Sequence, residues 1–275
     1  MRFEAAAYSD RGLVKETNQD SVGIDIASTP IGDVALIVVA DGMGGLECGE
    51  LASATVVREL SKWFHEKLPF VLQTIQESVG GFEQIVSGQW AGIVQDLNLK
   101  IMAYGVRHQL TLGTTMTAML AIGGRYTIAH VGDSRAYEIT PQGTTQLTED
   151  QTFVHREMMA GRMTYDEALV HPQRNVLLQC IGASKEVVPS ISHHTLNKEA
   201  TYLLCSDGYR HVLTEDELAS QFSGAVLWGE DGVKEGDATE AARVRLARVG
   251  ETVMERKEAD NLSAAVLRAV PEGRL

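Results

Sequence analysis

Cysteine is scarce in this chain. Cys48, Cys180 and Cys205 are the only three among 275 residues, and no two stand in a C-x-x-C pair. An odd number at such spacing argues against a disulfide framework or a thiolate zinc site and leaves the three as small hydrophobes. Basic charge is short as well. With 24 Lys and Arg against 37 Asp and Glu the net charge is −13, which argues against general affinity for nucleic acid or an anionic membrane and fits a protein that binds cations. Nowhere do about 18 apolar residues run together, and the first ten residues hold no signal-peptide core, so the expected location is the cytoplasm, with no membrane partner. No Pro- or Ser-rich linker and no low-complexity tract marks a boundary, so residues 1–275 read as a single domain. A chain of this length can bury roughly 75% of its unfolded surface. Neither a P-loop nor a G-x-S-x-G elbow is present.

What the sequence does have is an apolar run from Val34 to Ala40 that stops at Asp41-Gly-Met-Gly-Gly45. Such a Val- and Ile-rich run reads as a strand buried on both faces. Asp41 at its end can face a site, while the glycines let backbone groups approach whatever the carboxylate holds. The pattern returns where Thr201–Cys205 leads through Ser206 to Asp207-Gly208, and Asp260-Asn261 opens a last apolar segment, Leu262–Arg268. Alone, either Asp-Gly pair reads as a hairpin turn.

Around these boundaries the pattern alternates between strand and helix. Strands at 2–8 and 21–26 flank a polar connection that crowds Lys15, Glu16, Asn18, Gln19 and Asp20. A helix at 48–66 carries Ala52, Val56, Leu60 and Trp63 on one stripe, and another at 91–109 carries Val94, Leu97, Ile101 and Tyr104. Between them, 69–90 has glycines at 80, 81 and 88 and reads as a loop or broken helix. Segments 114–122, 126–131 and 135–139 predict an antiparallel meander. The polar stretch 148–183 has the character of a mobile flap between sheet strands. Strands at 187–195 and 201–205, a capping box from Thr214 to Glu217, and a helix at 238–257 complete the pattern. His193 and His194, adjacent on a strand, should point to opposite faces, which disfavours a joint metal site.

Three acidic residues thus stand at strand boundaries: Asp41, Asp207 and Asp260. If they converge, they cannot all ionise cheaply without a cation. All-oxygen ligation suits Mg²⁺ or Mn²⁺ rather than zinc, and Asp20 and Asp133 are further candidates. Periodicity does not establish the convergence. What bears on it is a resemblance carried by an ordered series: Asn18-Gln-Asp20, Asp41-Gly-Met-Gly-Gly45, Leu112-Gly-Thr-Thr115, Val131-Gly-Asp-Ser-Arg-Ala136, Leu147-Thr148, Cys205-Ser-Asp-Gly208 and Asp260-Asn261. It resembles the metal-dependent protein phosphatases, the protein phosphatase 2C (PPM) family, in its bacterial form, from about residue 5 to 268.

The resemblance implies an α+β fold, a four-layer αββα sandwich of two antiparallel sheets flanked by helices, with the metal centre at one edge. It implies that Asp41 bridges two ions with the Gly42 carbonyl on one of them, and that Asp207 and Asp260 complete the other. Asp20 would hold a metal-bound water, and Asp133 would share a third, weaker ion with Asp207. The implied activity is hydrolysis of phosphoserine and phosphothreonine in proteins by a metal-bridging hydroxide. The implied partners are phosphoproteins, including a Ser/Thr protein kinase and its targets. The stretch from about 153 to 180 corresponds to the family's flap, where His171-Pro172, Arg174-Asn175 and Gly182 match bacterial members and Arg174 is a candidate substrate contact. Arg135 could bind phosphate or form a structural salt bridge. Three departures stand out: Lys15 replaces an arginine that grips phosphate, Met43 replaces the histidine of eukaryotic members, and Gln19 replaces a carboxylate. The rival readings are a non-catalytic phosphoprotein-binding regulator of the same fold, and a phosphatase of small phosphoesters.

Overall fold

The computed structural model describes residues 1–30, 32–44, 48–77, 81–229 and 238–271; Gly45 of the glycine turn and Gly80 of the broken stretch lie outside the described residues. The chain opens with β1 (Arg2–Asp10), β2 (Ser21–Thr29), β3 (Gly32–Ala40) and a short β4 (Gly42–Gly44). Helices α1 (Gly49–Glu66), α2 (Leu68–Glu77) and α3 (Phe82–His108) follow. Then come β5 (Leu112–Thr114), β6 (Met116–Ile122), β7 (Arg125–Val131), β8 (Arg135–Thr140) and β9 (Gly143–Gln146). Two short helices, α4 (Phe153–Met159) and α5 (Tyr165–Leu169), precede β10 (Ser190–Thr195) and β11 (Thr201–Cys205). The remainder is α6 (Asp207–Arg210), α7 (Glu215–Phe222), α8 (Gly224–Leu227), α9 (Ala238–Glu255) and β12 (Leu262–Val270).

Alternation along β3 shows how the layers arise. Val34, Leu36, Val38 and Ala40 point one way, into a core with Ala52, Val56 and Leu60 of α1 and Val86, Trp90 and Val94 of α3. Ala35, Ile37 and Val39 point the other way and meet Phe3, Tyr202, Leu204 and Leu267. Because a strand has period two, one fully apolar run can serve two cores at once. A third core sets Leu203, Ala264 and Val266 against Leu218 and Phe222 of α7 and Leu246 and Val253 of α9. Each fully buried Val, Leu or Ile in these layers contributes about 1.5–3 kcal/mol. The sheets run β1-β12-β11-β8-β9 and β10-β7-β6-β3-β2, each antiparallel, with β4 and β5 as a separate ribbon. The result is the expected αββα sandwich.

Several expectations need correction. The meander breaks after β7: β6 and β7 pair, but β8 crosses to the other sheet and pairs with β11. Gly132 makes that crossing, with φ at 107° and its Cβ position only 2.6 Å from the Thr115 side chain. The stretch 69–90 is the broken-helix alternative, with α2 ending at Glu77, but α3 begins at Phe82 rather than near residue 91. Gly88 and Gly92 face open space there, while Val86, Trp90 and Val94 are buried, so packing outweighs the glycine penalty of about 1 kcal/mol each. Tyr104 leaves the buried stripe and is 38% exposed. The segment 114–122 is interrupted at Thr115 into β5 and β6, β10 starts at Ser190, and β4 and β9 are additional strands. His193 and His194 do face opposite ways: His193 meets Ser87 of α3 and Thr127, whereas His194 stacks on Tyr126 at 5.0 Å.

Candidate metal centre

Asp41 is fixed through its backbone. Its N–H donates to Thr115 Oγ1 (2.9 Å), and its carbonyl accepts from Thr115 N and Thr114 Oγ1, both 2.9 Å. Thr115 Oγ1 also lies 2.8 Å from Ser134 Oγ, beside Asp133. Leu112-Gly-Thr-Thr115 and Gly132-Asp-Ser134 are therefore halves of one clamp. Gly42 leaves no room for a side chain: an added Cβ would lie 2.3 Å from the carbonyl oxygens of both Gln19 and Gly49. Gly208 is similar, with Asn261 O at 2.2 Å. Neither Asp-Gly pair is a hairpin turn; both glycines permit close approach of backbone to backbone.

A second group is built on the connection between β1 and β2. The Asn261 side chain accepts from Gln19 N (2.9 Å) and donates to the carbonyls of Arg11 (2.8 Å) and Thr17 (3.0 Å). Asn18 Nδ2 donates to Ser9 Oγ, and Asn18 Oδ1 accepts from Asp20 N. These bonds hold Lys15 and Asp20 against the start of β12, where Lys15 Nζ pairs with Asp260 Oδ1 at 2.8 Å. Asp20 is 7% exposed, and both its carboxylate oxygens are buried with no hydrogen-bond partner among the described residues.

Asp207 opens α6, and Asp133 sits in the β7–β8 corner. Both line a groove of about 580 Å³ that runs between the flap helices α4 and α5 and helix α7, past Met158, Tyr165 and Arg174. Arg135 is in this groove, but its fork is occupied by Asp150, with Nε–Oδ1 and Nη2–Oδ2 both at 2.7 Å. Its phosphate-binding alternative gives way to the salt bridge, since a bidentate fork uses the donors a phosphate would need. Arg174 lines the groove from the flap.

Electrostatics tie the carboxylates together. Burial, Asp207 and Asp260 push the Asp20 carboxyl up to about 7, partly offset by the nearby Ser206 and Ser263 hydroxyls. Asp41 is pushed well above the carboxylate range by burial and by Asp20, Asp207, Asp133 and Asp260. Burial and Asp207 raise Asp133 to about 7, against the pull of Arg210. Burial disfavours the charge on Lys15, yet Asp260, Asp41 and Asp207 hold its pKa above the ordinary value. The structure therefore brings Asp20, Asp41, Asp133, Asp207, Asp260 and Lys15 within mutual electrostatic reach. Among the described residues, however, no three acidic or His/Cys side chains are grouped tightly enough to hold a metal ion as they stand. The donor set still suits a hard divalent cation: it is all oxygen, it repels itself, and the buried oxygens of Asp20 have only the Ser206 and Ser263 hydroxyls nearby, which are themselves bonded elsewhere. A cation there would compete with Lys15 for Asp260.

Two residues of this site carry no signal by residue type alone. Asn261 organises the loop that presents Lys15 and Asp20, and Arg210 reaches Asp133 and Asp150 from α6. Asn261 is detectable only through its place beside Asp260, and Arg210 has partners 77 and 60 residues away.

Known proteins give the same answer. Residues 13–237 match the family model described as protein phosphatase 2C. The chain is 33% identical over 214 residues to the serine/threonine protein phosphatase PstP of Mycobacterium tuberculosis, which covers 78% of this chain but only 37% of PstP. It is 31% identical over 220 residues to the serine/threonine phosphatase stp of Listeria monocytogenes, covering 78% of this chain and 81% of that one. The crystal structure of the PstP catalytic domain in complex with two manganese ions superposes with a TM-score of 0.74 at 30% identity, covering 98% of this chain and 99% of that one. Shared motif order, shared sandwich and a match across most of the chain lead to one assignment: this protein belongs to the protein phosphatase 2C family.

Proposed function

We propose that the protein is a Mg²⁺- or Mn²⁺-dependent phosphatase of phosphoserine and phosphothreonine in proteins. The observation that carries this reading is Asp20, a buried carboxylate whose oxygens make no hydrogen bond among the described residues, set among Asp41, Asp207 and Asp260 in an order that resembles the family's motif series. Asp41, the Gly42 carbonyl, Asp207 and Asp260 would hold two cations, with Asp20 supporting a water and Asp133 a third ion. Bound there, the cations would supply a hydroxide at neutral pH and neutralise charge on the phosphoryl oxygens. The protein's own part is positional. The Thr114–Thr115 clamp holds Asp41, Asn261 holds the Lys15 loop, and Lys15 offers an ammonium to the phosphoryl group once a cation takes Asp260. No residue is required to form a covalent phosphoenzyme. The groove beside Asp207 would receive the phosphoprotein, with Arg174 on its flap wall. Its partners would be the targets of a cytoplasmic Ser/Thr kinase and the kinase itself. No described helix is long and apolar enough to cross a membrane.

The test is hydrolysis of a phosphothreonine peptide beside p-nitrophenyl phosphate, with Mn²⁺ and with EDTA. Asp41→Ala, Asp207→Ala and Asp260→Ala should each nearly abolish Mn²⁺-dependent turnover in a folded protein. Full activity in EDTA, or in Asp41→Ala, would overturn the metal-dependent reading.

A further inference from the structure

Two cationic side chains near the carboxylates each pair with one acid. Lys15 pairs with Asp260, and Arg135 forks Asp150. Arg210 is different. It lies one turn after Asp207 on α6, its Nη2 donates to the Asp133 carbonyl oxygen at 3.1 Å, and it stands 3.5 Å from Asp150 Oδ2. Its side chain is 12% exposed, and Nε is buried with no hydrogen-bond partner among the described residues. Unlike Arg135, Arg210 does not spend its charge on one bidentate pair but spans the Asp133 corner and Asp150. On the groove side, Arg135 and Arg210 both reach Asp150, and the charge of Arg210 also favours an ionised Asp133; on the other side, Lys15 pairs with Asp260 and is held charged by Asp41 and Asp207 as well.

We propose that Arg210 is a positioning residue that serves as the protein's own counter-cation for the Asp133–Asp207 pair, so that this side of the site holds a divalent ion less tightly than the Asp41 side. The inference rests on the reading of these carboxylates as metal ligands. Arg210 also ties the helix bearing Asp207 to the corner bearing Asp133, which keeps the two carboxylates near each other although they come from different elements. A guanidinium a few ångströms from a cation site opposes a divalent ion by Coulomb repulsion, and removing it should tighten binding by about tenfold.

The experiment is Mn²⁺ titration of the full chain by calorimetry and electron paramagnetic resonance. In Arg210→Met the weakest class of Mn²⁺ site should tighten about tenfold, while Arg210→Lys, which keeps the charge, should stay within about twofold of the unmodified protein. Arg210→Gln serves if the methionine variant does not fold, with the same gain expected. The gain should vanish when Asp133→Asn is added. Structural damage would weaken binding, so tightening is a readout that a merely structural role does not produce. Unchanged or weaker Mn²⁺ binding in Arg210→Met or Arg210→Gln, or a gain that survives Asp133→Asn, overturns the proposal alone. Absence of any Mn²⁺ binding that Asp41→Asn removes overturns the metal reading as well.

Discussion

Lys15 is held in an ion pair with Asp260 at 2.8 Å, with both side chains about two-fifths exposed. At that exposure the pair itself adds little to stability. In the proposed reading its significance is exchange: a cation taking Asp260 would free the ammonium to meet a phosphate. An ammonium is a compact charge without the planar fork of guanidinium, so it attracts a dianion without fixing its orientation. Lys15→Ala should therefore raise KM, with a loss of about ten- to a hundredfold in kcat/KM, the scale of one charge-assisted hydrogen bond of about 1.5–3 kcal/mol. Steady-state kinetics on one phosphothreonine peptide provide the check, and an unchanged KM would mean that Lys15 stays on Asp260 throughout. Much of this residue-level picture was legible in the sequence. Asp20, Asp41, Asp207 and Asp260 stand at strand boundaries, where a period-two pattern ends and a side chain can leave the core. The partners of the ion pairs were not legible: a salt bridge was one reading of Arg135, but a guanidinium finds its acid through the fold rather than through local spacing.

Helices α4 and α5 are joined to the sandwich by a narrow neck. Gln151 N donates to Gly132 O (2.7 Å), Gln151 Oε1 accepts from Gly132 N (2.8 Å) and from Gln179 Nε2 (2.9 Å), and Leu178 N donates to Gln151 O (2.7 Å). One glutamine thus links both flap strands to the corner that carries Asp133. Substitutions on the flap itself, Met158→Ala or Arg174→Ala, should lower kcat/KM for a phosphopeptide much more than for p-nitrophenyl phosphate. Gln151→Ala should lower both, since it loosens the Asp133 corner. Parallel assays on the two substrates decide, and equal losses in all three variants would remove the distinction between flap and neck. At this scale the strands were read more securely than their partners. The Val34–Ala40 run announces a doubly buried strand, whereas the crossing of β8 to the other sheet depends on Gly132 fitting against Thr115, a contact between distant segments. Likewise the first turns of α3 were missed because local propensity shows the cost of Gly88 but not the packing of Trp90 that outweighs it.

The whole molecule carries a net charge of −13, and several of its acids are buried together. Asp20 and Asp133 are raised to about 7 in the fold, against about 3.9 in an unfolded chain. With folded values raised, the stability they contribute is complete below about pH 4 and is lost as pH climbs through 7. In EDTA the melting temperature should therefore fall from pH 5 to pH 8, and saturating Mn²⁺ should raise it more at pH 8 than at pH 5. Asp20→Asn should flatten the profile, and thermal melts across that range are the measurement; a flat profile in the unsubstituted protein would contradict the electrostatic account. One feature of the sheet order reaches into how the protein comes to exist. Strand β1 pairs along its whole length with β12, from Arg2 opposite Val270 to Asp10 opposite Leu262. Contacts of such separation are costly to close and slow to form. During synthesis, the loop that bears Lys15 and Asp20 must wait, unpaired, for the segment that bears Asp260. The part of the site built from Lys15, Asp20 and Asp260 is therefore completed late, and in refolding experiments the tightest Mn²⁺ uptake should coincide with the slowest folding phase.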